Sequence, residues 1–174
     1  MATKLLNNVR IIGLDPGLRH TGWGVIDSNG NSLTHVAHGV INTRSDDELA
    51  TRLSHIHREL IKVIELYGPI EAAVEETFVN KNPSSTLKLG MARGVVLCAP
   101  AFAGLKVSEY SANRIKKSVV GVGHADKTQV AMMVQRLLPK AASPDGNSII
   151  ADAADALATA ICHAHYRRVN ALIG

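Results

Sequence analysis

The chain is 174 residues long, 46% hydrophobic and 20% charged, with a formal net charge of +4, a balance that suits one globular domain over residues 1–174 and excludes a disordered or collagen-like polypeptide. No apolar run approaches the ~18 residues of a membrane span, and the opening MATKLLNNVR lacks the apolar core of a signal peptide, so a cytoplasmic protein without membrane association is expected. The only cysteines, Cys98 and Cys162, supply neither a zinc knuckle nor a disulfide framework and read as buried free thiols.

Val9 to Leu14 is an apolar run suited to a buried strand, and Gly22 to Asp27 reads as a second. Ser28 to Asn31 (SNGN) carries an Asn-Gly pair that tolerates positive φ, so it should turn this strand into a third, Leu33 to Ile41. Ser45 to Glu48 (SDDE) has the form of a capping box. The helix after it carries Leu49, Leu53, Ile56, Leu60, Val63, Ile64 and Tyr67 on one stripe and stops at Gly68-Pro69. Ile70 to Phe78 reads as a fourth strand, Ser84 to about Ala103 as a helix, and Lys106 to Tyr110 as a fifth strand. Two basic helical stretches follow, Ala112 to Val119 and Asp126 to Leu138, and after the break SPDGN a terminal helix runs from Ser148 to about Asn170. This order predicts an α/β domain with a mixed sheet.

Charge is distributed unevenly. Between Lys81 and Lys140 ten basic residues face two acids, Glu109 and Asp126, so this segment carries +8 and the remainder −4. A basic stretch of this kind suits a phosphate-rich partner, because cations that neutralise phosphates release condensed counterions. Solvated helix faces give the same pattern.

The acids are more informative. Asp15 ends the first strand immediately before Pro16-Gly17, at the kind of strand end where α/β sheets gather their sites, although an aspartate here also accepts bonds from its own turn. Glu75 and Glu76 end the fourth strand. Alternation sends their side chains to opposite faces, so only one can join Asp15, and alternation does not say which. Asp152 and Asp155 lie three apart on the terminal helix, on one face, among alanines that permit close approach to the sheet. Converging carboxylates repel and need a cation, and hard oxygen donors without cysteine favour magnesium or manganese. Two such ions ~3.5–4 Å apart can clamp an in-line phosphoryl displacement, the chemistry of a nuclease.

Four segments, IIGLDPGLRHTGWGVI, AAVEETFVNKNPSSTLKLGMARG, KKSVVGVGHADKTQV and ADAADALATAICHAH, resemble in order and spacing the RuvC family of Holliday-junction resolvases. The resemblance implies an RNase H-like fold, with three antiparallel strands then two parallel ones flanked by helices. It also implies a homodimer that makes paired symmetric nicks in four-way DNA junctions, using two Mg2+ ions per site that Mn2+ can replace, and coupling to a branch-migration complex, RuvA-RuvB. Matched by motif position, the catalytic acids and metal ligands become Asp15, Glu75, Asp152 and Asp155. Lys116 and Lys127 fall at basic positions near the scissile phosphate. Phe78, otherwise readable as a core contact, would stack on an opened base, and Lys81, Lys88, Arg93, Arg114 and Lys117 are expected backbone contacts. His124, His163 and His165 receive no role.

Other classes compete. GLDPGLRHTG also resembles the first phosphate loop of actin- or hexokinase-like ATPases, which need two related halves and a longer chain. A YqgF-type relative acting on RNA shares the first motif, and a binding-only junction module would lack the acids present here.

Overall fold

The structure, a computed structural model, describes residues 8–76, 81–142 and 149–173. Five strands form one sheet: β1 (Val9–Asp15), β2 (His20–Asn29), β3 (Ser32–Asn42), β4 (Glu71–Glu75) and β5 (Lys106–Tyr110). Their order is β3-β2-β1-β4-β5. β1, β2 and β3 pair antiparallel, as the turn residues predict, whereas β4 runs parallel to both β1 and β5, as the family resemblance implies. The helices are α1 (Leu49–Tyr67), α2 (Pro83–Phe102), α3 (Ala112–Val120), α4 (Lys127–Leu137) and α5 (Ala151–Ile173).

Strand alternation divides the core in two. Ile12, Leu14, Val25 and Val74 point to one face and pack with Ile56, Leu60 and Ile64 of α1 and Val96 of α2. Ile11, Ile26 and Ala73 point to the other, against Leu157 and Ile161 of α5, Ile115 of α3 and Val130 of α4. Each fully buried branched side chain contributes about 1.5–3 kcal/mol relative to exposure.

Helix α5 lies against β1 and β2 because neither surface has bulk. A Cβ on Gly13 would meet the Ala156 carbonyl oxygen at 2.1 Å, and one on Gly22 would meet the Asp152 carbonyl oxygen at 2.0 Å. Gly24 sits under Leu157 in the same way, with a Cβ placed 2.5 Å from the leucine side chain. The alanine-rich face of α5 therefore does what its composition suggests.

Several local expectations are corrected. Ser45 does not cap α1: the N-cap is Glu48, without a side-chain cap bond, and a capping box is found instead at α4, where Asp126 and Gln129 exchange bonds. In the β2–β3 hairpin Asn29 pairs with Ser32, so the two central residues are Gly30 and Asn31, and Gly30 alone takes positive φ, at 58°. β4 ends at Glu75 rather than continuing toward Phe78, because only residues 71–75 ladder with β5. α2 starts one residue early, with Pro83 in its first turn and Asn82 accepting from the Ser85 N–H. Cys98 is exposed and only Cys162 is buried, since Cys98 falls on the outer side of α2. Phe78 and the expected break and cap at residues 143–148 lie outside the described residues.

Candidate active site

β1 and β4 are neighbours and parallel, so their carboxyl ends lie side by side, with Leu14 paired to Val74. One residue further on, each strand ends in an acid, Asp15 and Glu75. Both share parity with Gly13 and Ala73, which face α5, so both side chains project toward α5. Glu76 has the opposite parity and is exposed. The face occupied by α5 is thus what decides between the two glutamates.

Asp15, Glu75 and Asp155 line one cleft of about 190 Å³ together with Lys116, Lys127, Ile115 and Val130. Helix α3, capped by Ser111, delivers Lys116, and the capped start of α4 delivers Lys127. Lys127 Nζ lies 3.4 Å from Asp155 Oδ2. Asp152 does not line the cleft. It stands a turn earlier on α5, near enough for its charge to act on Asp15, Asp155 and Lys127.

The electrostatics are those of crowded carboxylates. Burial first, then the charges of Glu75, Asp155 and Asp152, push Asp15 up to about 8, with Lys127 opposing. Burial and Asp155 push Glu75 up to about 7 against the pull of Lys127 and Lys116. Asp155 is raised by burial, less strongly because Lys127 bonds it. Among the described residues no three acid, histidine or cysteine side chains already form a metal-holding group. The donor set nevertheless fits a divalent cation: three carboxylates meet at an open cleft, two of them retain protons near neutrality, and a hard cation would replace those protons.

The remaining predicted residues do not line this cleft. Lys88, Arg114 and Lys117 are exposed, and Lys81 is exposed at the start of α2. The Arg114 guanidinium sits 5.2 Å from the centroid of Tyr166, and Arg93 is engaged by Glu109. His124 is exposed between α3 and α4. His163 is buried instead in a network the sequence did not reveal. Its Nε2 meets Glu71 Oε2 at 2.8 Å and its Nδ1 meets the Tyr110 hydroxyl at 2.8 Å, while Arg167 Nε donates to Glu71 Oε1 at 2.9 Å. The signal available was parity: Glu71 lies four residues before Glu75 on the same strand face. His165 pairs with Ser118.

A family profile described as crossover junction endodeoxyribonuclease RuvC matches residues 11–163. The chain belongs to the RuvC family. It is 61% identical over 162 residues to the crossover junction endodeoxyribonuclease RuvC of Xanthobacter autotrophicus, covering 93% of each chain. A counterpart in Rhodospirillum rubrum is 60% identical over 161 residues, covering 91% of each. Among solved structures, the fold superposes on Thermus thermophilus RuvC in complex with a Holliday junction substrate with a TM-score of 0.84, at 32% identity over 94% of this chain and 97% of that one. The yeast mitochondrial Holliday junction resolvase shares the fold, with a TM-score of 0.67 at 14% identity over 98% of this chain and 88% of that one. Membership across this length makes the chain a crossover junction endodeoxyribonuclease of RNase H-like fold and disfavours the ATPase and RNA-directed alternatives. Among the described residues no helix is long and apolar enough to cross a membrane.

Proposed function

We propose that this chain resolves four-way DNA junctions by magnesium-dependent hydrolysis in the cleft between β1, β4 and α5. The observation that carries this reading is the meeting of Asp15, Glu75 and Asp155 with Lys116 and Lys127 in one open cleft of a RuvC-family fold. Asp15, Glu75 and Asp155 would hold the metal, with Asp152 joining from the cleft margin. Two Mg2+ ions, or Mn2+ in their place, would supply an activated water and stabilise charge on the leaving 3′ oxygen.

The chain's own residues do the rest. Lys116 and Lys127 present positive charge to the phosphate and hold the neighbouring carboxylates toward their ionised forms. Lys127 Nζ steadies Asp155 at 3.4 Å until a phosphate competes for it. The floor of Ile115, Val130 and Ala158 limits water around the reacting group. Phe78 stands three residues after the end of β4 in sequence and would stack on a base opened at the crossover, worth ~1–3 kcal/mol.

Paired nicks need two sites, so the working unit is a homodimer, with apolar side chains exposed on α2 as its surface. A branch-migration complex of the RuvA-RuvB kind would deliver the junction, and a DNA substrate is in keeping with a cytoplasmic location. The test is cleavage of a labelled four-way junction beside a linear duplex of the same sequence, with magnesium and with chelator, for wild type and Asp15→Asn. Paired nicks confined to the junction, requiring magnesium and lost in the variant, are expected. Cleavage by folded Asp15→Asn at the wild-type rate would remove Asp15 from the mechanism.

A further inference from the structure

A second cavity, this one cationic, opens at the same end of the sheet, outside the basic segment 81–140. It measures about 360 Å³, and its walls include Thr43, Arg44, Asp47, Arg52, His55 and Arg58. The strand ends fix its location. Asn42 at the end of β3 pairs with His20 at the start of β2, and β2 pairs Gly22 with Asp15. Val40 is therefore level with Asp15 two strand spacings away, roughly 10 Å across the sheet, and Asn42 lies two residues beyond it. The cavity lies toward α1, on the flank of the sheet opposite α5.

Its cations are not equivalent. Arg44 is taken up by Asp46, with both its Nε and one terminal nitrogen bonded to that carboxylate. Arg52 and Arg58 form no salt bridge among the described residues. Arg52 is also oriented: its Nε donates to Thr43 Oγ1 at 2.9 Å, which leaves the two terminal nitrogens for another acceptor. Thr43 in turn takes the Arg19 carbonyl through its N–H at 3.0 Å and the Leu18 carbonyl through its hydroxyl. The cavity is thereby tied to the β1–β2 turn that begins just after Asp15.

We infer that this cavity binds a backbone phosphate of the DNA, on the arm flanking the cleaved strand, with Arg52 as the oriented fork and Arg58 and His55 at its side. A planar guanidinium with one edge anchored and two terminal nitrogens outward matches the oxygens of a phosphodiester. A duplex strand carries a phosphate every ~3.4 Å of helix axis, so a strand that leaves the Asp15 cleft and crosses the end of the sheet toward the α1 flank brings successive phosphates past this cavity. The anchoring of Arg52 through Thr43 to the Leu18 carbonyl also couples occupancy of this cavity to the turn that sets Asp15. The inference rests on the junction-binding reading above.

The experiment measures affinity for a four-way junction, in chelator, across a range of salt for wild type, Arg58→Gln, and Arg52→Gln with Arg58→Gln together, each checked for folding by circular dichroism. The double variant is expected to bind about tenfold more weakly, with its log-log salt slope shallower by roughly 0.9 for the lost phosphate. Arg58→Lys, which keeps the charge, should retain most of the wild-type affinity. If wild type binds and folded variants match it in both affinity and slope, the cavity is not a phosphate site. Should the double variant fail to fold, Arg58→Gln decides, because Arg58 makes no hydrogen bond that the fold relies on among the described residues. Wild type that ignores the junction would overturn the junction-binding reading itself.

Discussion

Gly13 and Ala156 touch with no room for a methyl group between them: a Cβ on Gly13 would stand 2.1 Å from the Ala156 carbonyl oxygen and 2.6 Å from the Ala160 nitrogen. Ala156 follows Asp155 directly, so this contact fixes the height at which α5 presents its acid to the cleft. Gly13→Ala must therefore lift the helix or bend the strand. Overpacking of this kind costs about 1–3 kcal/mol, and here the upper end is expected because the obstacle is backbone. Urea denaturation should show the loss, and junction cleavage should fall further than stability alone explains, since Asp155 moves away from Asp15. Wild-type activity and stability in Gly13→Ala would mean that α5 is free to shift.

The crowding of the acids predicts a stability change opposite in sign to the activity change. Asp15 sits at about 8 in the fold against an ordinary value of 3.8, so the folded state binds the proton more tightly than the unfolded one. Stability contributed by this group then falls as pH rises from about 4 and is fully lost above 8. Asp15→Asn removes that penalty. In chelator at pH 8 the variant should be more stable by about 1–2 kcal/mol, or several degrees in melting temperature for a chain of this size. At pH 4 the gap should close. A variant no more stable than wild type at either pH would show that the Asp15 carboxylate is already well neutralised by Lys127.

Much of this arrangement was readable in the sequence, and the exceptions have definite causes. The antiparallel meander and the mixed sheet follow from apolar runs and turn residues, the two parallel strands are implied by the family resemblance, and the small side chains of α5 permit the meeting of Asp15, Glu75 and Asp155 without requiring it. The choice of Glu75 over Glu76 could not follow, because alternation gives relative parity and only α5, packed by its alanines, shows which face holds the site. Ser45 to Glu48 matched a capping pattern that the chain does not use, since such a pattern is local and helix starts are set by how the helix docks. The Arg52 cavity escaped the charge count because Asp46, Asp47, Glu48 and Glu59 share its segment and cancel it on paper. In space, Arg44 absorbs Asp46 and Lys62 absorbs Glu59.

Glu71 offers a test of the buried network that the motifs did not reveal. His163 and Arg167 hold its carboxylate at about 2, well below the ordinary 4.5. The stabilisation is therefore full above pH 4.5 and is lost as pH falls toward 2. Glu71→Gln keeps the shape but not the charge, and should cost about 1–3 kcal/mol at pH 7, less than a fully buried pair because Arg167 retains water contact. At pH 2–3 the variant and wild type should unfold at similar urea concentrations. A gap that persists unchanged at pH 2–3 would assign the effect to packing.

The last prediction concerns α2. Leu89, Val95, Val96 and Leu97 turn wholly or partly inward, whereas Leu87, Met91 and Phe102 are 65%, 47% and 82% exposed. With the exposed Cys98 they recur at spacings of four, seven and four, which on a helix is a single stripe. An apolar stripe along an outer helix is a candidate for covering by a second copy related by a twofold axis. Met91→Glu puts a charge at the middle of the stripe without entering the core. Sedimentation should find wild type dimeric at micromolar concentration and Met91→Glu predominantly monomeric. The monomer should still fold, yet convert paired nicks into slow, unpaired single-strand cuts. A dimer unaffected by Met91→Glu would move the interface to another surface.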